Sequence, residues 1–130
     1  MFKVITFVKR KPGLTMEEFV DQYERLHAAP AAERVRGKAE RYFRRYLTPY
    51  EHALFAGNQP PDYDAIMEMW FKDRAQWEAA MKMMEQPDYV KTVVEEGEIM
   101  FDRSKIYQCI VEERESDIAP LPTQRTESAI

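Results

Sequence analysis

The opening strand sets the first constraint on the fold. Phe2–Arg10 is rich in β-branched and aromatic residues, with Phe2, Val4, Thr6 and Val8 on one face and Lys3, Ile5, Phe7 and Lys9 on the other. Both faces are apolar through the middle, so neither is suited to water. The pattern recurs in Arg41–Pro49, with Phe43 and Leu47 opposite Tyr42 and Tyr46. In Tyr63–Phe71, Met67, Met69 and Phe71 stand against Ile66, Glu68 and Trp70. Lys105–Glu112 ends the set, with Ile106 and Ile110 against Tyr107, Cys109 and Val111.

The segments between these strands read as helices. Thr15 and Glu18 have the spacing of a capping box, after the turn signal Pro12-Gly13. Met16, Phe19, Val20, Tyr23, Leu26 and His27 then form one inward stripe. Pro30 disfavours helical geometry before it and predicts an end at about Ala28. Ala31–Lys38 reads as a connection with partial helix. Asp73 caps the next helix, with Gln76 in the answering position and Trp77, Ala80, Met81 and Met84 inward. Pro87-Asp88 opens a further helix to about Phe101, with Tyr89, Val93, Gly97 and Met100 on one side.

Strand–helix–strand occurs twice, which predicts an α+β, ferredoxin-like βαββαβ domain with a four-stranded antiparallel sheet. Helices on one face leave a second apolar face, and the simplest cover for it is a second copy of the chain. The domain is expected over 1–112. Residues 113–130, polar and proline-containing, read as a loose tail or dimer arm. The connection 50–62 holds Gly57-Asn58 and Pro60-Pro61 and reads as a long loop, with a turn of helix over Glu51–Ala56.

Composition narrows the function. A chain of 130 residues with 45% hydrophobic and 32% charged residues fits one globular domain. A net charge of -4 weighs against nucleic acid as a partner. No apolar run approaches the roughly 18 residues needed to span a bilayer, so no membrane partner is expected. The start lacks a signal-peptide layout, and the single cysteine, Cys109, fits a reducing compartment, so the expected location is cytoplasmic. His27, His52 and Cys109 do not make a metal site, and no glycine-rich phosphate loop occurs. The expectation is no metal and no cofactor.

Tyr23 and His27 lie one turn apart and can face one space. Imidazole exchanges protons near neutral pH, which makes His27 the candidate general acid/base. The competing reading has it packed on the sheet and bonded to a carbonyl. Tyr23 suits a phenol or enolate oxygen, or equally a core position. His52 sits in the long loop, where pocket mouths are built, or is a surface histidine. Glu68 has three readings: orienting a histidine, lining a pocket, or pairing with an arginine across a dimer, the last preferred. The run Arg34, Arg36, Lys38, Arg41, Arg44 and Arg45 reads first as a charged strand edge, second as a site for an anionic substrate and last as a hold for single-stranded nucleic acid. Met67, Met69, Met81, Met83, Met84 and Met100 suit an adaptable apolar pocket or ordinary core filling.

These residues resemble the EthD family of the dimeric α+β barrel superfamily. The resemblance rests on the opening strand FVKRKPGLTMEEF and on Tyr23, His27 and Pro30 in the pattern Y-x-x-x-H-x-x-P. It extends to Glu68, Trp70 and Phe71 at a strand end and to Asp102, Arg103, Ser104 and Lys105 before the last strand. It covers about residues 2–112, and departs in having Tyr23 where tryptophan is frequent. It implies a homodimer with a pocket between helices and sheet in each subunit, lined by Phe19, Tyr46, His52, Met67, Met69, Trp70 and Phe71, with His27 and Tyr23 as catalytic residues. Members include cofactor-free cyclases, dehydratases and decarboxylases acting on polyketides and aromatic compounds. The implied function is therefore lyase-type proton transfer on a hydrophobic small molecule. Two alternatives stand beside it: a non-catalytic binding or accessory protein of an oxygenase system, and a monooxygenase of the same superfamily.

Overall fold

A computed structural model describes residues 1–54 and 61–123. The chain runs β1 (Phe2–Val8), α1 (Met16–Gln22), a π turn (Tyr23–Ala28), α2 (Ala29–Val35), β2 (Arg41–Tyr46), β3 (Ala65–Phe71), α3 (Arg74–Met84), α4 (Pro87–Met100), a 3₁₀ turn (Arg103–Lys105) and β4 (Tyr107–Ile110). The strands make one antiparallel sheet in the order β2-β3-β1-β4, the ferredoxin-like arrangement that two strand–helix–strand units predict.

Register sorts the two faces. Across β1 and β3, Val4 stands opposite Met69, Thr6 opposite Met67 and Val8 opposite Ala65, while Gln108 of β4 stands opposite Thr6. Opposed residues share a face, so these line the side on which the helices pack. The buried core divides there into one cluster around Phe19, Tyr23, Met100 and Phe101 and another around Val4, Val35, Phe71 and Ala80.

The opposite face bears Ile5, Phe7, Phe43, Ile66, Glu68 and Trp70, all of them half-buried. Lys3 Nζ lies 3.7 Å from the Trp70 ring centroid, and Arg41 and Arg45 each lie 4.6 Å from that of Phe43. Glu68 accepts from Trp70 Nε1 at 2.8 Å and from Arg45 Nε at 3.0 Å, so within one chain it already has an arginine partner.

The first helix starts as expected. Thr15 Oγ1 accepts from the Glu18 N–H and Glu18 Oε1 from the Thr15 N–H, each at 3.1 Å. Gly13, at φ 94°, makes the turn out of β1 in a conformation that only glycine adopts at low cost. The expected end near Ala28 is wrong. The backbone passes through the π turn into α2 and continues to Val35, with Pro30 inside it. A proline ring strikes the carbonyl four residues back in an α-helix and supplies no N–H. Here the Ala29 N–H bonds the Glu24 carbonyl five residues back, and this wider turn accommodates Pro30.

Other boundaries shift for local reasons. β2 stops at Tyr46, short of the expected Pro49. β4 begins at Tyr107 rather than Lys105 because Asp102 accepts from the Ser104 N–H at 3.1 Å and winds the chain into the 3₁₀ turn. Asp73 Oδ1 caps α3 by accepting from the Gln76 N–H at 2.8 Å, but the Gln76 side chain accepts from the Lys72 N–H instead of from that of Asp73. Residues 51–54 form no helix. The rest of the expected Glu51–Ala56 turn, the Gly57-Asn58 turn and the tail end 124–130 lie outside the described residues. After β4, Val111 donates to the Lys3 carbonyl at 3.0 Å and Glu113 pairs with Lys3 Nζ at 2.8 Å. Among the described residues, no helix is long and apolar enough to cross a membrane.

Thr15→Ala removes one of the two capping bonds and leaves the buried stripe intact. It is expected to lower the unfolding free energy by about 1 kcal/mol, read by urea denaturation; an unchanged midpoint would show that the box adds nothing.

Candidate active site

The buried positions of the first helical segment are Phe19, Tyr23, Ala28, Ala31 and Val35. Their spacings are four, five, three and four, and the five is the π turn. One extra residue lets Ala28 take the core position, while His27, just before it, stands at the core's edge. Insertions of this kind recur at functional sites.

His27 Nδ1 is hydrogen-bonded to Glu96 Oε2 of α4, with the two side chains 12% and 13% exposed. An ionised carboxylate only accepts, so Nδ1 carries the hydrogen, and the neutral ring keeps a lone pair on Nε2. The same ring lines a cavity of about 390 Å³ between the helices and the sheet. Tyr23 and Tyr89 also face it from the helix side, and Thr6, Met67 and Gln108 from the sheet. Gln108 Nε2 lies 3.3 Å from Thr6 Oγ1. A smaller lobe of about 50 Å³ shares His27, Met67, Met84 and Tyr89 and adds Met69, Phe71, Trp77 and Met81.

Burial raises the Tyr23 phenol well above its ordinary pKa, with Tyr42 and Tyr46 adding to the effect, and burial likewise raises Tyr89. Both are therefore neutral O–H groups near neutral pH, able to donate to an oxygen and unsuited to act as bases. Behind the turn, Glu24 accepts from Arg44 Nε at 2.9 Å, Arg44 Nη2 at 2.5 Å and Tyr46 Oη at 2.6 Å. The Arg44 guanidinium holds the Glu24 carboxyl below the usual carboxylate range against the opposing effect of burial. These bonds tie the π turn to β2.

The expected site residues separate into groups. Tyr23, His27, Met67, Met69 and Phe71 meet around the two lobes. Phe19 is fully buried and meets Tyr23 edge-on at 5.7 Å, so it supports the wall from behind. Tyr46 is engaged with Glu24. Trp70 is on the other face, because a residue one place from Met69 in a strand points the opposite way. His52 lies in the loop, where its Nδ1 accepts from the Leu54 N–H at 3.0 Å, and it is not among the residues lining either lobe.

Glu96, Tyr89, Gln108 and Thr6 are not among the candidate site residues that the sequence offers. Glu96 follows Tyr89 by seven residues, two helical turns, and that spacing alone separates it from Glu95 and Glu98. Gln108 carried no comparable signal, since its position follows from pairing with β1. Among the described residues, no three His, Cys, Asp or Glu side chains gather as a metal shell.

The sequence profile described as EthD domain matches residues 11–104. Comparison with curated proteins finds no match. Among solved structures, the chain is similar to protein At3g17210 of Arabidopsis thaliana, with a TM-score of 0.60 and 13% identity over 91% of this chain and 100% of that one. It is similar to an ethyl tert-butyl ether d (ethd) family protein of Bacillus halodurans, with a TM-score of 0.58 and 14% identity over 88% and 100% of the two chains. A dimeric ferredoxin-like protein of Thermobifida fusca gives a TM-score of 0.50 and 14% identity over 85% and 88%. At these identities the likeness is one of fold.

The depressed pKa of Glu24 fixes the sign of a pH effect. Its ionised form contributes stability above the unfolded-state value, and that contribution is lost as pH falls through the lower folded value. Glu24→Gln is expected to cost about 1 kcal/mol at pH 7, discounted for partial exposure. The gap from the parent should narrow as pH drops below about 4, followed by urea denaturation across pH. A gap independent of pH would contradict the ion pair.

Proposed function

The chain belongs to the EthD family, and from that premise we propose that it is a cofactor-independent enzyme performing lyase-type proton transfer on an aromatic or polyketide-like molecule. The observation that carries this reading is His27, tethered by Glu96 at the wall of a largely apolar cavity. In a dehydration, Nε2 removes a proton from the carbon beside a substrate carbonyl. Tyr23 and Tyr89 donate hydrogen bonds to the oxygen as it gains enolate character. The imidazolium, stabilised by Glu96, returns the proton to the departing hydroxyl, which leaves as water while the carbon–carbon double bond forms. Decarboxylation and cyclisation need the same groups, a proton carrier and donors to an enolate oxygen. Thr6 and Gln108 supply polar contacts from the sheet side.

The active unit is taken to be a homodimer of the domain 1–112, with the segment beyond it as an arm toward the second copy. The half-buried apolar face around Ile5, Phe7, Phe43 and Ile66 supports this, as does a structural neighbour described as dimeric. Light scattering at micromolar concentration should give twice the chain mass; a monomer would remove this part of the reading.

The decisive experiment starts from a ligand that co-purifies with the protein, identified by mass spectrometry and tested for turnover by the protein alone. His27→Ala should lower kcat by roughly 10²–10⁴-fold, the range for a positioned acid/base group. Tyr23→Phe should cost less, about 10-fold, because Tyr89 still donates. Both variants should keep the circular dichroism of the parent. Binding without turnover, relieved only by an added oxidoreductase, would instead support an accessory role.

A further inference from the structure

Arg103 is the one permanently charged side chain among the described residues lining the main cavity. Three features hold it there. Asp102 accepts from the Ser104 N–H at 3.1 Å and Ser104 Oγ at 2.6 Å, fixing the 3₁₀ turn from which Arg103 departs. Its stem then crosses α4 at Gly97, where an added Cβ would stand 3.4 Å from Arg103 Cδ and 3.6 Å from Cγ. Glu98 Oε1 accepts from Nη1 at 3.0 Å on the solvent side. The side chain is 50% exposed, which sets the guanidinium at the cavity's opening rather than in its depth.

One hydrogen bond to Glu98 uses one of five guanidinium donors. No carboxylate lines the cavity among the described residues, so no anionic side chain inside it competes for the remaining donors. A planar guanidinium takes a carboxylate in a two-bond fork, and an amphipathic acid can leave its charge at an opening while its apolar body enters. Taking the cavity as the ligand site proposed above, we infer that its ligand is a carboxylic acid. Arg103 holds the carboxylate at the mouth, and the aromatic or polyketide-like body extends to Tyr23 and His27. Glu98 is the resting counter-ion with which the ligand competes.

The test compares two probes of one shape, 2-naphthoate and the neutral 2-naphthamide, by titration calorimetry on the full chain. The parent should bind the acid more tightly by about tenfold, the low end for a charge-assisted contact at a half-exposed site. Arg103→Gln should abolish that preference and leave the amide unaffected, and Arg103→Lys should restore part of it. Glu98→Gln should tighten the acid alone. Equal affinity of the parent for both probes, or equal weakening of both by Arg103→Gln, overturns the inference while leaving the cavity as a ligand site. Loss of the preference in His27→Ala but not in Arg103→Gln also overturns it, by assigning the charge recognition to His27. Binding of neither probe contradicts both the inference and the cavity reading on which it rests.

Discussion

The site depends on a backbone constraint, a single turn that hydrogen-bonds five residues back instead of four. In an uninterrupted α-helix the stripe through Phe19 and Tyr23 would continue through His27, and the imidazole would compete for core space. The extra residue moves Ala28 into that stripe and leaves His27 beside the cavity. It also accommodates Pro30, so the helical segment continues to Val35 and buries Ala31 and Val35 against the second core cluster or beside the lobes. One irregular turn thus serves the packing and sets His27 at the cavity.

Hydrogen bonds to carboxylates hold the turn from two sides. Glu24, at its start, is bonded to Arg44 and Tyr46 of β2, and His27, near its end, is bonded to Glu96 of α4. The turn is thereby fixed against the sheet and against the opposite helix. The fixed contacts orient an imidazole that lines a cavity of apolar and phenolic walls, where a hydrogen bond or a charge counts for more than in water. The two phenols stay protonated, and in the proposed reaction they assist an oxygen while proton uptake falls to His27.

Much of the fold is legible in the sequence because it rests on local rules. The capping box at Thr15, the strand alternation around Val4 and Met69, and the Asp73 cap are each short-range patterns. The continuation of the helix past Pro30 is not legible for a physical reason: proline chemistry argues against an α-helix, and nothing in the residues announces a wider turn. The site is legible in part. His27 and Tyr23 stand out as the polar members of an inward stripe. Their partners come from α4 and β4 and meet them only through the tertiary fold. Trp70 does not join the pocket, as strand alternation sets it apart from Met69 and Phe71. Arg103 lay within a recognised segment, but its place at the cavity follows from the Gly97 notch, which appears only once α4 and the 3₁₀ turn are packed together.

The central claim is that Glu96 holds His27 with Nδ1 protonated and Nε2 free for a substrate. Imidazole ¹⁵N chemical shifts of the neutral His27 ring test it most directly, since they distinguish the two nitrogens without needing a substrate. The account predicts the Nδ1–H tautomer in the parent, with that preference lost in Glu96→Gln. A neutral His27 protonated on Nε2 in the parent, or shifts insensitive to Glu96→Gln, would contradict it.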